Sequence, residues 1–530
     1  MPSLHLDRAQ SIPALVAAAA EAYGDALALE DGELRLSFRE LQAAGLRAAR
    51  ACLAAGLEPG DRGAIWAPNL AEWIIAAIGL HSAGGVLVPL NTRFKGGETA
   101  YALRKSGARL LFTLGGEFLG ARYAEMLRGE SLPGLERIVS FRGEEPGCQA
   151  WEEFLAAGEA VPESRARERA AAVGPEDLSD FIFTSGTTGA PKAVMTAHGQ
   201  NLRAFRSWSE VVGLRAGDRY LVVSPFFHSF GYKAGWLACL LRGASVLPHA
   251  VFDARAVLER VAEERVSVLP GAPTIYQSFL AFPDLAGHDL SSLRLAVTGA
   301  AAIPVELVRR MRDELGFETV ITGYGLSESC GIATMCRHDD DPETIATTSG
   351  RAIPDVEVRC IDGDGKQVPR GEPGEVVVRG YNVMRGYFDD PEATREAIDA
   401  DGWLHTGDVA VMDERGYVRI TDRIKDMFIV GGFNVYPAEV ESLLYGSGRF
   451  AQVAVIGVPD ERMGEVGMAF VVPAPGRTVT PEEVVAWSRE HMANYKVPRH
   501  VEVLDALPQN ASGKVLKFEL RRSAKDLLAG

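Results

Sequence analysis

Three things are scarce in this sequence, and each scarcity excludes something. Cysteine is the first: Cys52, Cys148, Cys239, Cys330, Cys336 and Cys360 are scattered with no CxxC pair. The six thiols therefore read as reduced and buried, not as a disulfide or zinc framework. Positive charge is the second, since 55 Lys and Arg against 71 Asp and Glu leave a formal net charge of -16. That balance argues against nucleic acid and against stable membrane association, because both call for basic patches, although small anions can still bind at local basic sites. The third is a long unbroken apolar run. The richest one, Trp73 to Leu90, is interrupted by His81, Ser82, Gly84 and Gly85, and reads as a buried helix and strand, not a membrane span. The opening "MPSLHLDRAQSIPALVAAAAEAYGDALAL" has no basic region ahead of a clean apolar core and carries Asp7, Glu21 and Asp25. A folded amphipathic helix is expected there instead of a signal peptide, and with it a cytoplasmic location.

What is present is a globular composition, 47% hydrophobic and 24% charged over 530 residues. At roughly 100–200 residues per domain this suggests about three structural units. Strand-like runs alternate with helical patterns through the first part: "RGAIWAP", "GGVLVPL", "DRYLVVSP", "GASVLPH", "RVSVLPG" and "SLRLAVTG". The alternation predicts doubly wound α/β subdomains at about 1–175 and 176–345, with ligands at the carboxyl ends of strands. From about 346 to 422 short strands with Gly and Pro turns predict a small β-barrel or sandwich. After "TDRIKD" an α+β pattern returns, with Pro437 at a helix start and Val440, Leu443 and Leu444 on one face. The expected division is thus a large domain at 1–422 and a small, mobile α+β domain at 423–530.

"TSGTTGAPK", Thr184 to Lys192, follows the apolar strand Phe181 to Phe183. Gly186 and Gly189 let backbone N–H groups converge on an anion, the hydroxyls of Thr184, Ser185, Thr187 and Thr188 add donors, and Lys192 adds charge. It is not a Walker A loop, because Pro191 occupies the glycine position before the lysine. Taken alone it fits a phosphate cradle or a Thr-rich surface turn. "TGYGLSES" offers Tyr324 as an aromatic face for a purine and Glu328 as a carboxylate for Mg²⁺. "GWLHTGD" adds Asp408, suited to ribose hydroxyls; "TDRIKD" adds Arg423; "LPQNASGKVLK" sets Lys514 on a Gly-containing turn. "CRHDDD", by contrast, reads as an acidic loop with a helix-capping aspartate and not as a metal site.

In this order, "TSGTTGAPK", "YGLSE", "HTGD", "DRIKD" and "SGKVLK" resemble the signature segments of the adenylate-forming acyl-CoA synthetases along nearly the full chain. The resemblance implies an enzyme that joins a carboxylic acid to ATP as acyl-AMP, releasing pyrophosphate, and then transfers the acyl group to coenzyme A. The substrates bring both nucleophiles, which fits a site without a catalytic serine or cysteine. It also implies that Thr184 and Glu328 hold Mg²⁺, and that the loop from Ser185 to Lys192 binds phosphates. Tyr324 and the backbone around Gly299 and Ala300 would sandwich adenine, with Asp408 and Arg423 on the ribose and Gly325 and Ser327 also binding the nucleotide. Lys514 would bridge carboxylate and α-phosphate, Lys425 would be the hinge, and Gly431, Gly432 and Phe433 would face coenzyme A. Two residues depart from the pattern: Ala193 replaces a common glycine, tolerable if its φ is negative, and Ser327 replaces a frequent threonine.

For the acid, the resemblance points to the segments around "SPFFHSFGYKAGW", "VTGAAAIP" and "TGYGLSESCGI". Phe226, Phe227, Tyr232 and Trp236 would bring aromatic surface and Gly331 volume, though core packing would account for each aromatic equally well. Residues 225–235 contain no carboxylate to pair with an amino-acid ammonium. His228 reads either as a gate to the pantetheine tunnel or as a histidine bonded to a loop carbonyl. "LPGAPTIYQ" and "MCRHDDDPETIATTSGRAIPD" further resemble the bacterial steroid-degradation CoA ligases. That implies a methylated dioxo-hexahydroindane propanoate as substrate, with Lys233 or Ser329 as a donor to a ketone. A medium-chain or aromatic acid ligase is the alternative, and a non-catalytic nucleotide sensor of the same fold a more distant one. A homodimer and inactivation of Lys514 by a lysine acetyltransferase complete the expectations. Lys514→Ala is expected to abolish adenylate formation while thiolation of supplied acyl-AMP persists; single-turnover assays showing equal loss of both steps would refute the assignment.

Overall fold

The computed structural model describes residues 6, 8–184, 191–299, 303–423, 426–430, 433–460, 462–492, 494–509 and 515–529. Backbone contacts divide the chain into two compact units, Met1–Val358 with Val378–Leu404, and Arg359–Val377 with His405–Gly530.

The first unit is built on α/β windings. Its largest sheet has eight strands in the order Gly386–Tyr387, Lys192–Ala197, Leu178–Thr184, Val86–Pro89, Arg62–Trp66, Ala108–Leu114, Arg137–Phe141 and Gln149–Ala150. From Leu178–Thr184 onward the strands are parallel; Lys192–Ala197 and Gly386–Tyr387 add an antiparallel edge. Parallel strands covered on both faces read as continuous apolar runs, and Ala64, Ile65 and Trp66 are all fully enclosed. The helix Ala71–Ser82 is buried at every residue except Glu72, so the interrupted run from Trp73 is a core helix that leads into the strand Val86–Pro89. The helix Ile12–Tyr23 is capped by Ser11 and lays Ile12, Leu15, Val16 and Ala19 against the core.

A second group of strands joins Arg219–Val222, Ser245–Pro248, Leu27–Asp31 and Leu34–Ser37 to Leu295–Gly299, Thr319–Tyr324, Thr334–Met335 and Arg351–Ala352. The join is the "RVSVLPG" segment. Only Val268 makes a bridge on both sides, to Tyr220 and Leu295, before Pro270 removes a backbone donor. In the acidic loop, Asp341 caps the helix Pro342–Thr347 by accepting from the Glu343 and Thr344 amides, as expected. All six cysteines are free thiols.

The second unit contains most of a four-stranded sheet, Val356–Ile361, Pro373–Gly380, Leu404–Met412 and Val418–Arg423, the first three strands of which each include residues of both units. A five-stranded sheet follows, centred on Gly464–Pro473 and Phe450–Asp460. Alternation in the strand Phe450–Asp460 sends Val453 and Val455 to one face, against Val440, Leu444 and Val484 of the helices Pro437–Gly446 and Pro481–His491. Ala454 and Ile456 go to the other face, against Leu520 and Ala524 of the helix Lys517–Ala529.

One buried pair makes the first unit sensitive to acid. His81 and His198 are enclosed and meet edge to face with ring centroids 5.1 Å apart, and His81 Nε2 lies 3.3 Å from the Tyr232 hydroxyl. Burial lowers the His81 pKa to about 4, partly opposed by the charge of Asp180, and burial together with His81 holds His198 well below its ordinary value. Both imidazoles are therefore neutral when folded, while the unfolded chain takes up protons near pH 6.5. The contribution to stability is complete above the unfolded pKa and is lost as pH falls toward about 4. The thermal midpoint is expected to drop as pH is lowered through that window, and His81→Leu should flatten the slope. Thermal melts followed by circular dichroism across pH check this, and an unchanged slope in the variant would count against it.

Candidate active site

The strands Leu178–Thr184 and Lys192–Ala197 pair antiparallel with Thr184 directly opposite Lys192. Both ends of "TSGTTGAPK" are thus held side by side, with Thr184 Oγ1 3.5 Å from the Lys192 carbonyl oxygen. Ala193 sits in the regular ladder opposite Phe183 and has a negative φ, so its β-carbon is accommodated.

Tyr387 is the residue that sequence reasoning missed. Its strand, Gly386–Tyr387, pairs with the hairpin through Tyr387 and Val194. From there its hydroxyl donates to Glu328 Oε1 at 2.9 Å, and its ring lies 4.9 Å below the Lys192 ammonium. The Met384 amide also donates to the Glu328 carbonyl at 2.8 Å. Burial, followed by the charge and hydrogen bond of Glu328, pushes the Tyr387 pKa upward, so the phenol stays a donor. One aromatic side chain therefore touches the lysine at the end of the hairpin and the carboxylate of "YGLSE" at once. The available signal was the tyrosine itself within "MRGYFDD", which has no short-range partner to mark it.

Tyr324 ends the strand Thr319–Tyr324, and Gly325, Ser327, Glu328 and Gly331 occupy the loop that follows it. Gly325 must be glycine: a β-carbon there would come within 2.4 Å of the Ile332 Cα and 2.5 Å of the Gly331 carbonyl. Gly331 has φ +99°, and a β-carbon on it would meet Ser229 at 2.8 Å. Gly299 ends the neighbouring strand Leu295–Gly299, with Gly299 and Gly323 as register partners. The loop is closed by Ser329, whose hydroxyl accepts from the Leu326 amide at 2.9 Å and donates to the Leu326 carbonyl at 3.1 Å.

The turn before the helical segment at Ser229 is pinned by Asn69, which donates to the carbonyls of Val222 and Ser224 and accepts from the Phe226 amide. His228 is exposed, and partial desolvation, followed by the charge of Lys233, holds its imidazole below the ordinary pKa. Its Nδ1 accepts from the Phe230 amide at 3.3 Å, so this nitrogen is not donating to a loop carbonyl. Phe227 beside it is half-buried.

Two expectations for the acid are corrected. Tyr232 and Trp236 are wholly enclosed and stack on each other at 5.1 Å, with Trp73 packed on both and also on Phe226. Core packing therefore accounts for their aromatic surface, because the whole segment Tyr232–Leu237 is buried. Lys233 and Ser329 are not ketone donors: Lys233 is fully enclosed against Asp180, and Ser329 is spent on its own loop.

In the second unit, Asp408 and Arg423 are register partners on the strands Leu404–Met412 and Val418–Arg423. Asp408 is buried, and the turn before it is fixed by Glu375, which accepts from the Gly407 amide at 3.1 Å and lies 3.0 Å from His405 Nδ1. Ser185, Gly186, Thr187, Thr188, Gly189, Ala300, Lys425, Gly431, Gly432 and Lys514 lie outside the described residues, as do the side chains of Arg423 and Phe433.

Among the described residues no group of three or more His, Cys, Asp or Glu could hold a metal on its own. Mg²⁺ does not require one, since it commonly takes one or two carboxylates together with substrate phosphates and water. Glu328, half-buried and oriented by Tyr387, fits that donor set.

A hairpin ending in Thr184 and Lys192, beside an aromatic and carboxylate loop on wound α/β sheets, is an arrangement suited to a nucleotide-using enzyme. The chain matches the AMP-binding enzyme family over residues 16–388 and the AMP-binding enzyme C-terminal domain over 439–514. It belongs to this family and is an AMP-forming acyl-CoA synthetase, an acid-thiol ligase that uses ATP, Mg²⁺ and coenzyme A. It is similar to the 3-[(3aS,4S,7aS)-7a-methyl-1,5-dioxo-octahydro-1H-inden-4-yl]propanoyl:CoA ligase of Rhodococcus jostii, with 51% identity over 97% of this chain and 98% of the relative. The ligase of the same name from Mycobacterium tuberculosis is 50% identical over 97% of this chain and 98% of its own. Among solved structures, the anthranilate CoA ligase AuaEII in complex with anthranoyl-AMP superposes with a TM-score of 0.88 at 30% identity, covering 99% of each chain. No helix among the described residues is long and apolar enough to cross a membrane.

Tyr387→Phe keeps the ring beneath Lys192 and removes only the bond to Glu328. A hydrogen bond to a charged group contributes about 1.5–3 kcal/mol, so kcat for ATP–pyrophosphate exchange is expected to fall roughly tenfold or more. The Mg²⁺ concentration for half-maximal rate should rise in the same assay. Unchanged values of both would remove Tyr387 from the site.

Proposed function

We propose that the acid activated by this enzyme is a methylated dioxo-hexahydroindane propanoate, the bicyclic remnant of sterol rings. The observation that carries this reading is the identity of about half of all positions, across nearly the whole chain, with ligases named for that acid. The site is compatible with an apolar, uncharged body, since the stretch from Pro225 to Gly235 carries no carboxylate for an ammonium. An aromatic acid is the second reading, favoured by the likeness to the anthranilate ligase.

In this reading Thr184 and Glu328 hold Mg²⁺, and the segment Ser185 to Lys192 binds the outer phosphates. Bound Mg²⁺ supplies charge neutralisation at the phosphates. Tyr324 covers adenine with Gly299, Ala300, Gly325 and Ser327 around it, and Asp408 and Arg423 take the ribose. Lys514 offsets the repulsion between the acid carboxylate and the α-phosphate, since two anions must approach within bonding distance. Phe227, His228 and Gly331 border the acyl chain, with His228 gating the pantetheine side. A small domain from residue 423 turns about Lys425 to exchange Lys514 for Gly431, Gly432 and Phe433. The reading includes a cytoplasmic location, in keeping with six free thiols, a homodimer, and control of Lys514 by acetylation.

ATP–pyrophosphate exchange with the bicyclic propanoate, octanoate and benzoate tests the substrate. A kcat/KM at least about tenfold higher for the bicyclic acid is expected, the discrimination of one well-placed recognition element. A preference for octanoate or benzoate would replace this reading with the medium-chain or aromatic one.

A further inference from the structure

The buried pair of Lys233 and Asp180 is used by none of the roles above. Both side chains are fully enclosed, and Lys233 Nζ lies 3.0 Å from Asp180 Oδ1. Among the described ion pairs it alone has both partners completely shielded; the pair of Arg294 and Asp218 comes nearest and retains some exposure. The carboxylate is fully engaged. Asp180 Oδ1 also accepts from Thr196 Oγ1 at 2.8 Å, while Oδ2 accepts from Ser179 Oγ at 2.8 Å and from Asn201 Nδ2 at 2.7 Å. Lys233 further donates to Thr196 Oγ1 at 3.0 Å.

The location of the pair gives it meaning. Asp180 and Thr196 are register partners in the hairpin, and each lies four residues from its tip end, at Thr184 and Lys192 respectively. Lys233 belongs to the π-helical stretch Tyr232–Leu237, whose first amide donates to the His228 carbonyl at 3.0 Å. Wide turns of this kind occur mostly as short insertions at functional sites. Within the stretch Gly235 leaves helical geometry at ψ -107°, so the local backbone is not a regular helix that would set its own position. The loop that follows "YGLSE" packs against the same turn: a β-carbon on Gly331 would meet Ser229 at 2.8 Å. A buried ion pair contributes little net stability over an apolar replacement, yet removing one partner is strongly destabilising. It is a poor way to hold a core together and a good way to fix one segment against another.

We infer that Lys233 and Asp180 form a positioning pair, which locks the hairpin stem ending in Thr184 and Lys192 to the turn bearing His228 so that nucleotide and acid meet in register. The inference rests on the reading that the hairpin serves ATP and the His228 turn serves the acid. Neither residue touches a reactant; the pair acts through the segments it joins.

The test compares Asp180→Asn, Lys233→Met and the double variant by thermal melts and by ATP–pyrophosphate exchange, with whichever acid of the panel supports exchange in the wild type. Each single variant leaves one side of the pair uncompensated and should melt well below the wild type. The double variant should recover most of that loss, yet its kcat should remain about a hundredfold down, the cost of roughly 1 Å of misplacement, with KM for ATP and acid moving less than about threefold. Thr196→Val, which removes the hydroxyl shared by both charges, should fold and lose about tenfold in kcat with the same split. A double variant that regains both stability and kcat, or losses confined to KM, would overturn the inference. Should the double variant not fold, a Thr196→Val enzyme with wild-type kcat would do the same. Wild-type exchange is the control for the functional reading, so its failure and the failure of the pair are read from different samples.

Discussion

Asp180 is a carboxylate with no access to water, and the arrangement of the first unit depends on its being satisfied. An isolated anion at that depth would cost several kcal/mol or would take up a proton. Here Ser179, Thr196, Asn201 and Lys233 converge on it from both strands of a hairpin, from the helix behind it and from the segment in front. Each donor comes from a piece of chain that must be in place for the anion to be tolerated. The antiparallel hairpin is an addition at the edge of a parallel sheet, where backbone pairing alone would leave its tilt loosely set. The polar knot at its root supplies the missing constraint.

The same logic operates one layer out, with weaker and more exposed groups. Tyr387 touches Lys192 with its ring and Glu328 with its hydroxyl, and the Met384 amide holds the loop backbone beside it. The chemistry of an acid-thiol ligase asks for this kind of scaffold. Since the two substrates carry their own nucleophiles, the protein gains rate by holding charges still, and a half-buried carboxylate oriented by a phenol is cheaper to keep rigid than one on a free loop.

Local features were legible in the sequence because their causes are local. The strand before "TSGTTGAPK", the cap at Asp341, the helix start at Pro437 and the break in the run from Trp73 each follow from residues a few positions apart. The carboxyl-end placement of the loops at Gly299 and Tyr324 followed from the alternation of strands and helices. Tyr387 was not legible, since its partner Glu328 is 59 residues away in sequence. The assignment of Tyr232, Trp236 and Lys233 failed for a different reason. The resemblance implied that their segment borders the acid, but the whole of Tyr232–Leu237 is buried, and periodicity cannot tell a lining aromatic from a core one.

The first unit is discontinuous, ending at Val358 and resuming at Val378. The returning piece is the one that brings Met384, Arg385, Tyr387 and Phe388 onto the hairpin and the Glu328 loop. During synthesis, therefore, the sheet and its helices can form while Lys192 and Glu328 still lack the residue that joins them. The contacts of Tyr387 with Lys192 and Glu328 form only after residue 388 has left the ribosome, by which time all of residues 359–377 has been made. A nascent chain stalled before that point would carry the hairpin ending in Thr184 and Lys192 without the strand that completes its edge.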